Sequence, residues 1–290
     1  MTINLSKEGV FPIKYDKEGN KINGIATGLN SSLTIQGEGS LIGVPCLFIR
    51  TSACNLRCMF ESNGFIEPCD TDYTSWNNVN HKWEISDIIS VIKYNIRNAK
   101  HIVISGGEPL LQAKSLTFLC KEIKRNFEDI HITIETNGTI FNDKLIEYVD
   151  LFSISPKLSN SNPTSKKLEI YNKKNNTDYK TKLNHNKIRY NIEALQKYIL
   201  NSFENVGNVP VYDIQFKFVV SDNNDIKEIK ENYIYKLEYL EQSDIILMAV
   251  GMTKEHLLKS KMFVLEQCII NGWRYTDRLH IELFGNKIGV

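Results

Sequence analysis

Apolar stretches of strand length alternate with segments of helical periodicity along most of this 290-residue chain. The apolar stretches, each bounded by Gly, Pro, Asn or other polar residues, predict strands at 44–50, 101–105, 131–136, 151–155, 213–220 and 244–250. The segments around them predict helices at 84–98, 111–127, 142–149, 187–200, 225–240 and 253–271. Because strands and helices alternate, we expect an α/β fold on a mostly parallel sheet, either an open sheet or a partial barrel.

No shift in composition marks a domain boundary, so the chain is expected to form a single domain over residues 1–290. Residues 1–30 precede the first predicted strand and are interpreted as an N-terminal extension. Residues 158–186 are polar and rich in Lys and Asn, which predicts an insertion. The tail that begins at Arg278, with the sequence RLHIELFG, predicts one more strand.

Charge and hydropathy exclude several classes of function. The chain has 35 basic and 34 acidic residues, a net charge of +1, so nothing in the overall charge attracts nucleic acid or an anionic membrane. No stretch approaches the roughly 20 apolar residues that span a bilayer, and the first residues have no apolar core of signal-peptide type. We therefore expect a cytoplasmic protein, in which six cysteines do not form a disulfide framework.

The polar motifs of the chain follow its predicted strands. In chain order they are Cys54, Gly106-Gly107-Glu108, Thr136-Asn137-Gly138 and Ser155-Pro156-Lys157. Ligands of parallel α/β folds bind at the carboxyl ends of the strands. The sequence therefore predicts one binding site that these motifs share.

Three of the cysteines, Cys54, Cys58 and Cys69, lie within sixteen residues. Three thiolates can hold a four-iron cluster and leave one iron open to a small molecule. The alternative is a zinc site with His81 or Cys46 as the fourth ligand, and spacing alone does not separate the two. The glycine motif and the strand order favour the cluster.

The motifs together resemble the radical S-adenosylmethionine (SAM) superfamily: C-x3-C, then SGGEP, ETNG and SPK at successive strand ends. Within it, the chain resembles the 7-carboxy-7-deazaguanine synthase family in Ile35-Gln36-Gly37-Glu38-Gly39, Cys69-Asp70-Thr71, Leu247-Met248 with Gly251, and Arg278-Leu279-His280. The resemblance covers about residues 30–290, with a gap over 158–186. One departure is the spacing of the second and third cysteines, where ten residues, 59–68, replace the usual two and are interpreted as a further insertion.

The resemblance implies a partial (β/α) barrel of the radical SAM type. It also implies an activity, the conversion of 6-carboxy-5,6,7,8-tetrahydropterin to 7-carboxy-7-deazaguanine with loss of ammonia. Hydrogen abstraction by a 5′-deoxyadenosyl radical precedes the ring contraction. The implied cofactors are a [4Fe-4S] cluster, SAM and Mg²⁺. The implied partners are an electron donor of the flavodoxin or ferredoxin type and a second copy of the chain. The product is expected to enter queuosine biosynthesis for tRNA, with 7-deazaguanine modification of DNA as the alternative.

The resemblance assigns a role to each matching residue. The cluster ligands are Cys54, Cys58 and Cys69, and the magnesium ligand is Thr71, with Asp70 as an alternative. The SAM site comprises Gly106, Gly107, Glu108, Asn137, Ser155, Pro156, Lys157, Leu247 and Met248. The substrate site comprises Ile35, Gln36, Gly37, Glu38, Arg50, Ser105, Glu135 and His280. The planar guanidinium of Arg50 suits the substrate carboxylate, whereas Glu135 and Asn137 could serve either molecule.

Two alternatives stay open at this point. One is a different radical SAM enzyme, such as a glycyl-radical activase, against which the early QGEG and the late RLH argue. The other is a non-catalytic module that binds zinc through the three cysteines.

Overall fold

A computed structural model describes residues 1–62, 64–203 and 212–290 of the chain. The strands in this part are β1 (Thr2–Phe11), β2 (Thr34–Ile35), β3 (Pro45–Thr51), β4 (Met59–Ser62), β5 (Phe65–Pro68), β6 (His81–Glu84), β7 (His101–Gly106), β8 (His131–Thr136), β9 (Leu151–Ile154), β10 (Asp213–Val220), β11 (Ile245–Ala249) and β12 (Arg274–Tyr275). The α-helices are α1 (Ile85–Asn95), α2 (Ala113–Asn126), α3 (Ser165–Asn175), α4 (His185–Ile188), α5 (Ile192–Ser202), α6 (Asn223–Ile229), α7 (Lys254–Asn271) and α8 (Leu279–Phe284).

Ten of these strands form one sheet, with the order β12-β11-β10-β9-β8-β7-β3-β1-β6 and β2 paired with β3. All neighbours from β3 to β12 along this order are parallel. Their residues are almost all buried, as the strand β11 shows with five buried residues out of five. Burial on both faces is typical of a parallel sheet whose connections are helices. The predicted α/β class is confirmed.

The helices cover the sheet through their apolar faces. In α1 the side chains of Ile85, Ile88 and Ile92 are buried at helical spacing, and they join the main core cluster with β3 and β7. Helix α6 begins earlier than predicted because Asp222 and Asp225 form a capping box at its start. It also ends earlier, in a π-helical turn over Lys230–Ile234.

Three other predictions about the elements need correction. The tail from Arg278 is not a strand: its buried Ile281 and its neighbours form the short helix α8. The stretch predicted as a short helix at 142–149 is a 3-10 turn over Asp143–Tyr148. Residues 1–30 contribute to the central sheet, because β1 pairs antiparallel with both β3 and β6 and buries alternate apolar residues such as Ile3 and Leu5.

The two predicted insertions form structure and pack on each other. Residues 59–68 contain the hairpin β4–β5, whose residue 63 lies outside the described residues. Residues 158–186 contain α3, and the buried ammonium of Lys167 on this helix donates to the carbonyl oxygen of Met59 in β4 at 3.1 Å. The ring of Tyr179 stacks on Trp76, with the centroids 4.9 Å apart, and its hydroxyl donates to Asp72.

In the part of the chain that the structure describes, no helix combines the length and the apolar character that crossing a lipid bilayer requires.

We predict that Asn95→Ala lowers the free energy of unfolding of the apoprotein by about 2–4 kcal/mol. The buried Asn95 amide joins α1 to the N-terminal loop, since its Oδ1 accepts from the backbone of Lys14 and Tyr15 and its Nδ2 donates to the Tyr15 carbonyl. Urea denaturation followed by circular dichroism measures the loss. Asn126→Ala is the control, because that exposed amide bonds only its own helix, and a similar loss in both variants would contradict the prediction.

Candidate active site

A cavity of about 230 Å³ lies at the carboxyl ends of the parallel strands. Six neighbouring strands, β3 to β11, contribute to its wall, from Arg50 on β3 to Met248 on β11. In a flat sheet these two strands would be about 24 Å apart. The sheet must therefore curve around the cavity, as a partial barrel does. The predicted site residues in the wall are Ile35, Gln36, Gly37, Glu38, Arg50, Cys54, Cys58, Cys69, Thr71, Ser105, Gly106, Gly107, Glu135, Asn137, Ser155, Lys157, Met248 and His280.

Cys54, Cys58 and Cys69 share one wall of the cavity. Apolar side chains surround them in a separate small cluster, made of Leu56, Phe60, Phe65, Val250, Ile188 and Val219. Burial raises the pKa of the thiols, to about 12 for Cys54, to about 11 for Cys69, and well above the ordinary value for Cys58. The charge of Cys69 also raises the pKa of Cys54 and Cys58, and that of Cys54 raises the pKa of Cys58, so thiolates at this wall need a cation for stability. Iron ions of a cluster fit this requirement.

The sulfur positions favour a cluster over a single zinc ion. Tetrahedral zinc, with a Zn–S distance near 2.3 Å, holds its ligands about 4 Å apart. Among the described residues, the three sulfurs do not form a group whose atoms all lie within 4.8 Å of one another. The two suggested fourth ligands lie elsewhere: Cys46 is buried inside β3 and His81 is exposed on β6, and neither lines the cavity.

Gly106 and Gly107 are required by the cysteine loop itself. A Cβ at Gly106, where φ is +155°, would overlap Thr51, and a Cβ at Gly107 would overlap the carbonyl of Ala53. The resemblance placed these glycines in the SAM site. The structure gives a second reason for them, which is the close contact between the end of β7 and residues 51–54 at the start of the cysteine loop.

Glu108 is buried and does not line the cavity. One carboxylate oxygen accepts from the Thr136 hydroxyl at 2.8 Å and from the backbone of Leu110, and the other accepts from the Asn137 N–H at 2.7 Å. The resemblance assigned Glu108 to the SAM site, but these bonds favour a role in fixing the loop. Through them it holds the end of β8 against the end of β7.

The motifs after β8 and β9 meet beside Cys54. The Asn137 amide donates to Asn55 at 2.9 Å and lies 4.0 Å from the Cys54 sulfur. The Lys157 ammonium donates to the carbonyl and hydroxyl oxygens of Ser155, both at 2.7 Å. Lys157 also lowers the pKa of the nearby Cys54 and Cys58 thiols, which places one positive charge near the sulfurs.

Besides Glu108, two more residues of the predicted SAM site do not reach the cavity. Leu247 is fully buried and its carbonyl accepts from the backbone of Thr276, while Met248 beside it lines the cavity. Side chains alternate along a strand, which explains why only one of the two neighbours faces inward. Pro156 is buried behind Ser155 and Lys157 and is not part of the wall.

Two buried cations, Lys217 and Arg278, and two partly buried carboxylates, Glu38 and Asp70, form a network at another wall. Glu38 accepts from the Lys217 ammonium at 2.6 Å and from the Arg278 guanidinium Nε at 2.9 Å. The same guanidinium donates to the Asp70 carboxylate and to the Gly251 carbonyl. Burial alone would raise the pKa of Glu38, but the charges of Lys217 and Arg278 hold it well below the ordinary carboxyl value. Arg278 lowers the pKa of Asp70 in the same way.

Glu38, Asp70 and His280 place their ligand atoms within 4.8 Å of one another, a spacing that could hold a cation. The guanidinium of Arg278 already bonds both carboxylates. We therefore interpret this group as a substrate-facing network and not as a metal site.

Gln36, Gly37 and Glu135 complete the polar part of the wall. The Gln36 amide donates to Glu135 at 3.1 Å, and Glu135 lies 3.8 Å from the Lys217 ammonium. A Cβ at Gly37 would overlap the His280 ring, and the Gly37 carbonyl accepts from the Leu279 N–H at 2.9 Å. Glycine is thus needed where the tail meets the turn of Gln36, Gly37 and Glu38, which we call the QGE turn.

Arg50 brings an unsatisfied donor to the cavity. Its Nε is buried and has no hydrogen-bond partner among the described residues, and its guanidinium lies 5.0 Å from the centre of the Phe11 ring. A buried donor without a partner costs about 1–3 kcal/mol, which an anionic ligand would offset. Ser105, the register partner of Arg50 on β7, also lines the cavity. Thr71 faces it too, and its side chain does not cap the turn that it begins.

The sequence argument missed two residues of this site, Lys217 and Arg278, as functional candidates. Lys217 pairs with Glu38, 179 residues away, and this partner is visible only in the structure. The sequence did carry one signal, since Lys217 is a charged residue inside the apolar stretch FKFVV of β10.

Comparisons with known proteins agree with this geometry. Residues 48–207, which are 160 of the 290 residues, match the model of the Radical SAM superfamily. A 7-carboxy-7-deazaguanine synthase from Halobacterium salinarum is 33% identical over 87% of this chain and 88% of its own length. One from Rhodopirellula baltica is 33% identical over 97% of this chain and 96% of its own length. The crystal structure of QueE from Escherichia coli has the same fold, with a TM-score of 0.55, 21% identity, and coverage of 93% of this chain and 95% of that chain.

We predict that Lys217→Met lowers the free energy of unfolding by about 3–5 kcal/mol, since it leaves the partly buried Glu38 with one cation fewer. The control is Lys227→Met, which breaks an exposed ion pair with Glu231 and should cost less than about 1 kcal/mol. Denaturant unfolding of both apoproteins checks the difference.

The same variant should change the acid dependence of stability. Because the folded-state pKa of Glu38 lies below its ordinary value of 4.5, its stabilising contribution is complete above that pH and is lost as the pH falls. Lys217→Met should make this loss shallower. Equal costs for Lys217→Met and Lys227→Met would contradict the assignment of a stabilising network.

Proposed function

The chain belongs to the radical SAM superfamily and, within it, to the 7-carboxy-7-deazaguanine synthase family, and on this premise we propose how its cavity works. It is a radical SAM lyase that forms 7-carboxy-7-deazaguanine from 6-carboxy-5,6,7,8-tetrahydropterin, and its cofactors are a [4Fe-4S] cluster and SAM. These relatives do not favour the glycyl-radical activase alternative.

We assign the cluster to Cys54, Cys58 and Cys69. The observation that supports this is their position in one apolar wall, where burial and mutual repulsion disfavour free thiolates. When bound, the cluster and SAM supply the electron transfer and the radical chemistry. The protein supplies the shell, since Leu56, Phe60 and Val250 keep water away from the sulfurs.

We place SAM between the cysteine wall and the ends of β7 to β9 and β11. Gly106, Gly107, Asn137, Ser155, Lys157 and Met248 line that part of the cavity. Glu108, Pro156 and Leu247 support it from behind, because they lie outside the wall. The amide of Asn137 and the hydroxyl of Ser155 are the polar groups that can orient SAM there.

The single observation that carries the substrate assignment is that one cavity contains both a hydrogen-bond donor without a partner and several hydrogen-bond acceptors. Arg50 has a buried donor without a partner, whereas Gln36, Glu38 and Glu135 present acceptors. The carboxytetrahydropterin has a carboxylate that suits Arg50 and a row of ring N–H groups that suits the acceptors. We therefore propose that Arg50 and Ser105 hold the carboxylate, and that Ile35, Gln36, Gly37, Glu38, Glu135 and His280 hold the ring.

We further propose that the Thr71 hydroxyl binds Mg²⁺ beside the substrate, since it faces the cavity and caps no turn. Magnesium needs few protein ligands because it keeps several waters. Asp70, the alternative ligand, is already bonded to Arg278. The electron donor of the flavodoxin or ferredoxin type, the homodimer and the use of the product for queuosine in tRNA remain proposals that the family suggests.

We predict that Cys69→Ser prevents stable binding of the cluster and abolishes SAM cleavage, because the cluster loses one of three ligands. Iron and sulfide content after anaerobic reconstitution, with 5′-deoxyadenosine measured by chromatography, checks this. Cys120→Ala is the matched control, since that thiol is buried in the main core among apolar residues and should leave both readouts unchanged. A full cluster and normal cleavage in Cys69→Ser would contradict the ligand assignment.

We predict that Arg50→Ala weakens pterin binding about 10- to 100-fold while SAM binding stays the same, because a charge-assisted bond is lost. Arg50→Lys should lie in between, since a lysine keeps the charge but not the planar fork. Equilibrium dialysis with each ligand separates the two sites. Arg125→Ala, an exposed change, is the control, and a parallel loss of SAM and pterin binding in Arg50→Ala would show that Arg50 is structural.

A further inference from the structure

Positive charge is concentrated in one segment of this nearly neutral chain. Residues 158–189 contain eight basic and two acidic side chains, an excess of six, while the whole chain has an excess of one. The basic residues are Lys166, Lys167, Lys173, Lys174, Lys180, Lys182, Lys187 and Arg189. The rest of the protein is therefore net acidic, and this segment is its exception.

Six of these eight cations are exposed. Lys167 and Arg189 are buried and bonded inside the fold, to the Met59 carbonyl and to Glu228 respectively. The six exposed ones are Lys166, Lys173, Lys174, Lys180, Lys182 and Lys187. Lys180 pairs with Asp178, but within the described ranges Lys182 and Lys187 take part in no ion pair. We call these six lysines the basic face.

The basic face adjoins the cysteine loop. Helix α4 lies between Lys182 and Arg189, and its His185 accepts at Nδ1 from the backbone N–H of Arg57, at 3.1 Å. Arg57 stands between two of the cysteines in the sequence. Ile188 of the same helix packs into the apolar cluster around Cys54, Cys58 and Cys69. Helix α4, which carries the exposed Lys187, thus packs directly against the cysteine wall.

We propose that the basic face is the docking surface of an acidic one-electron carrier protein. The inference rests on the proposed function, because it needs a cluster on the three cysteines. Electron-transfer encounters are small and transient, and charge complementarity provides most of their association rate. The excess of lysines fits an acidic carrier, and its place beside α4 puts the carrier close to the site that it must reduce.

The experiment compares two double variants with the same change in charge. Lys182→Glu with Lys187→Glu reverses the part of the basic face at α4. Lys114→Glu with Lys121→Glu reverses two exposed lysines on α2, outside the basic face. The reconstituted enzymes are mixed anaerobically with reduced flavodoxin or, separately, with dithionite. Bleaching of the cluster absorbance in a stopped-flow instrument gives the reduction rate at low and at high salt.

We expect the α4 variant to be reduced by flavodoxin at least about tenfold more slowly than the wild type at low salt, with the gap closing at high salt. Its reduction by dithionite, a small ion that needs no docking surface, should stay within twofold of that of the α2 variant. Equal flavodoxin rates for the two variants would overturn the docking proposal while the function stands. A wild-type protein that binds no reducible cluster would instead overturn the proposed function.

Discussion

The guanidinium of Arg278 joins parts of the chain that are far apart in sequence. It donates to Glu38 in the turn before the first parallel strand, to Asp70 after the last cluster cysteine, and to the carbonyl of Gly251 after β11. A buried cation needs such a set of acceptors, because loss of water would otherwise make it unstable. The consequence is geometric: the QGE turn, the cysteine loop and the tail close around one cavity. Lys217 on β10 is a second buried cation of this kind, and it pairs with Glu38 and Glu135.

The segment after Cys58 shields the cysteine loop. It forms the hairpin β4–β5, and Phe60, Glu67 and Pro68 of this hairpin line the cavity. The hairpin is held from two sides. Lys167 of α3 bonds its first strand, and the ring of Phe65 stacks on His256 of α7 with the centroids 4.0 Å apart. The two insertions thus act together, one as a wall of the site and the other as its support.

Local pattern was sufficient to predict the elements that are regular and buried. Strands β8 and β10 coincide with their predicted ranges, because apolar residues at strand spacing run up to Asn137 and to Ser221. The placement of Cys54, Gly106, Asn137 and Ser155 around one cavity also followed from strand order. Long-range packing decided the rest. The tail forms a helix that contacts Gly37 through the Leu279 N–H. Glu108 lies outside the cavity wall because Thr136 and Asn137 bond its carboxylate. The apolar stretch around Lys217 marks it as an unusual charge, but a single sequence does not reveal its partner Glu38, which lies 179 residues away.

The central claim is that one cavity binds the cluster, SAM and the pterin together. The most direct test is anaerobic reconstitution with iron and sulfide, followed by turnover with SAM, dithionite, Mg²⁺ and 6-carboxy-5,6,7,8-tetrahydropterin. The account predicts 7-carboxy-7-deazaguanine, identified by mass spectrometry, together with ammonia. A cluster that cleaves SAM without forming this product would contradict the substrate assignment, and bound zinc in place of a cluster would contradict the account as a whole.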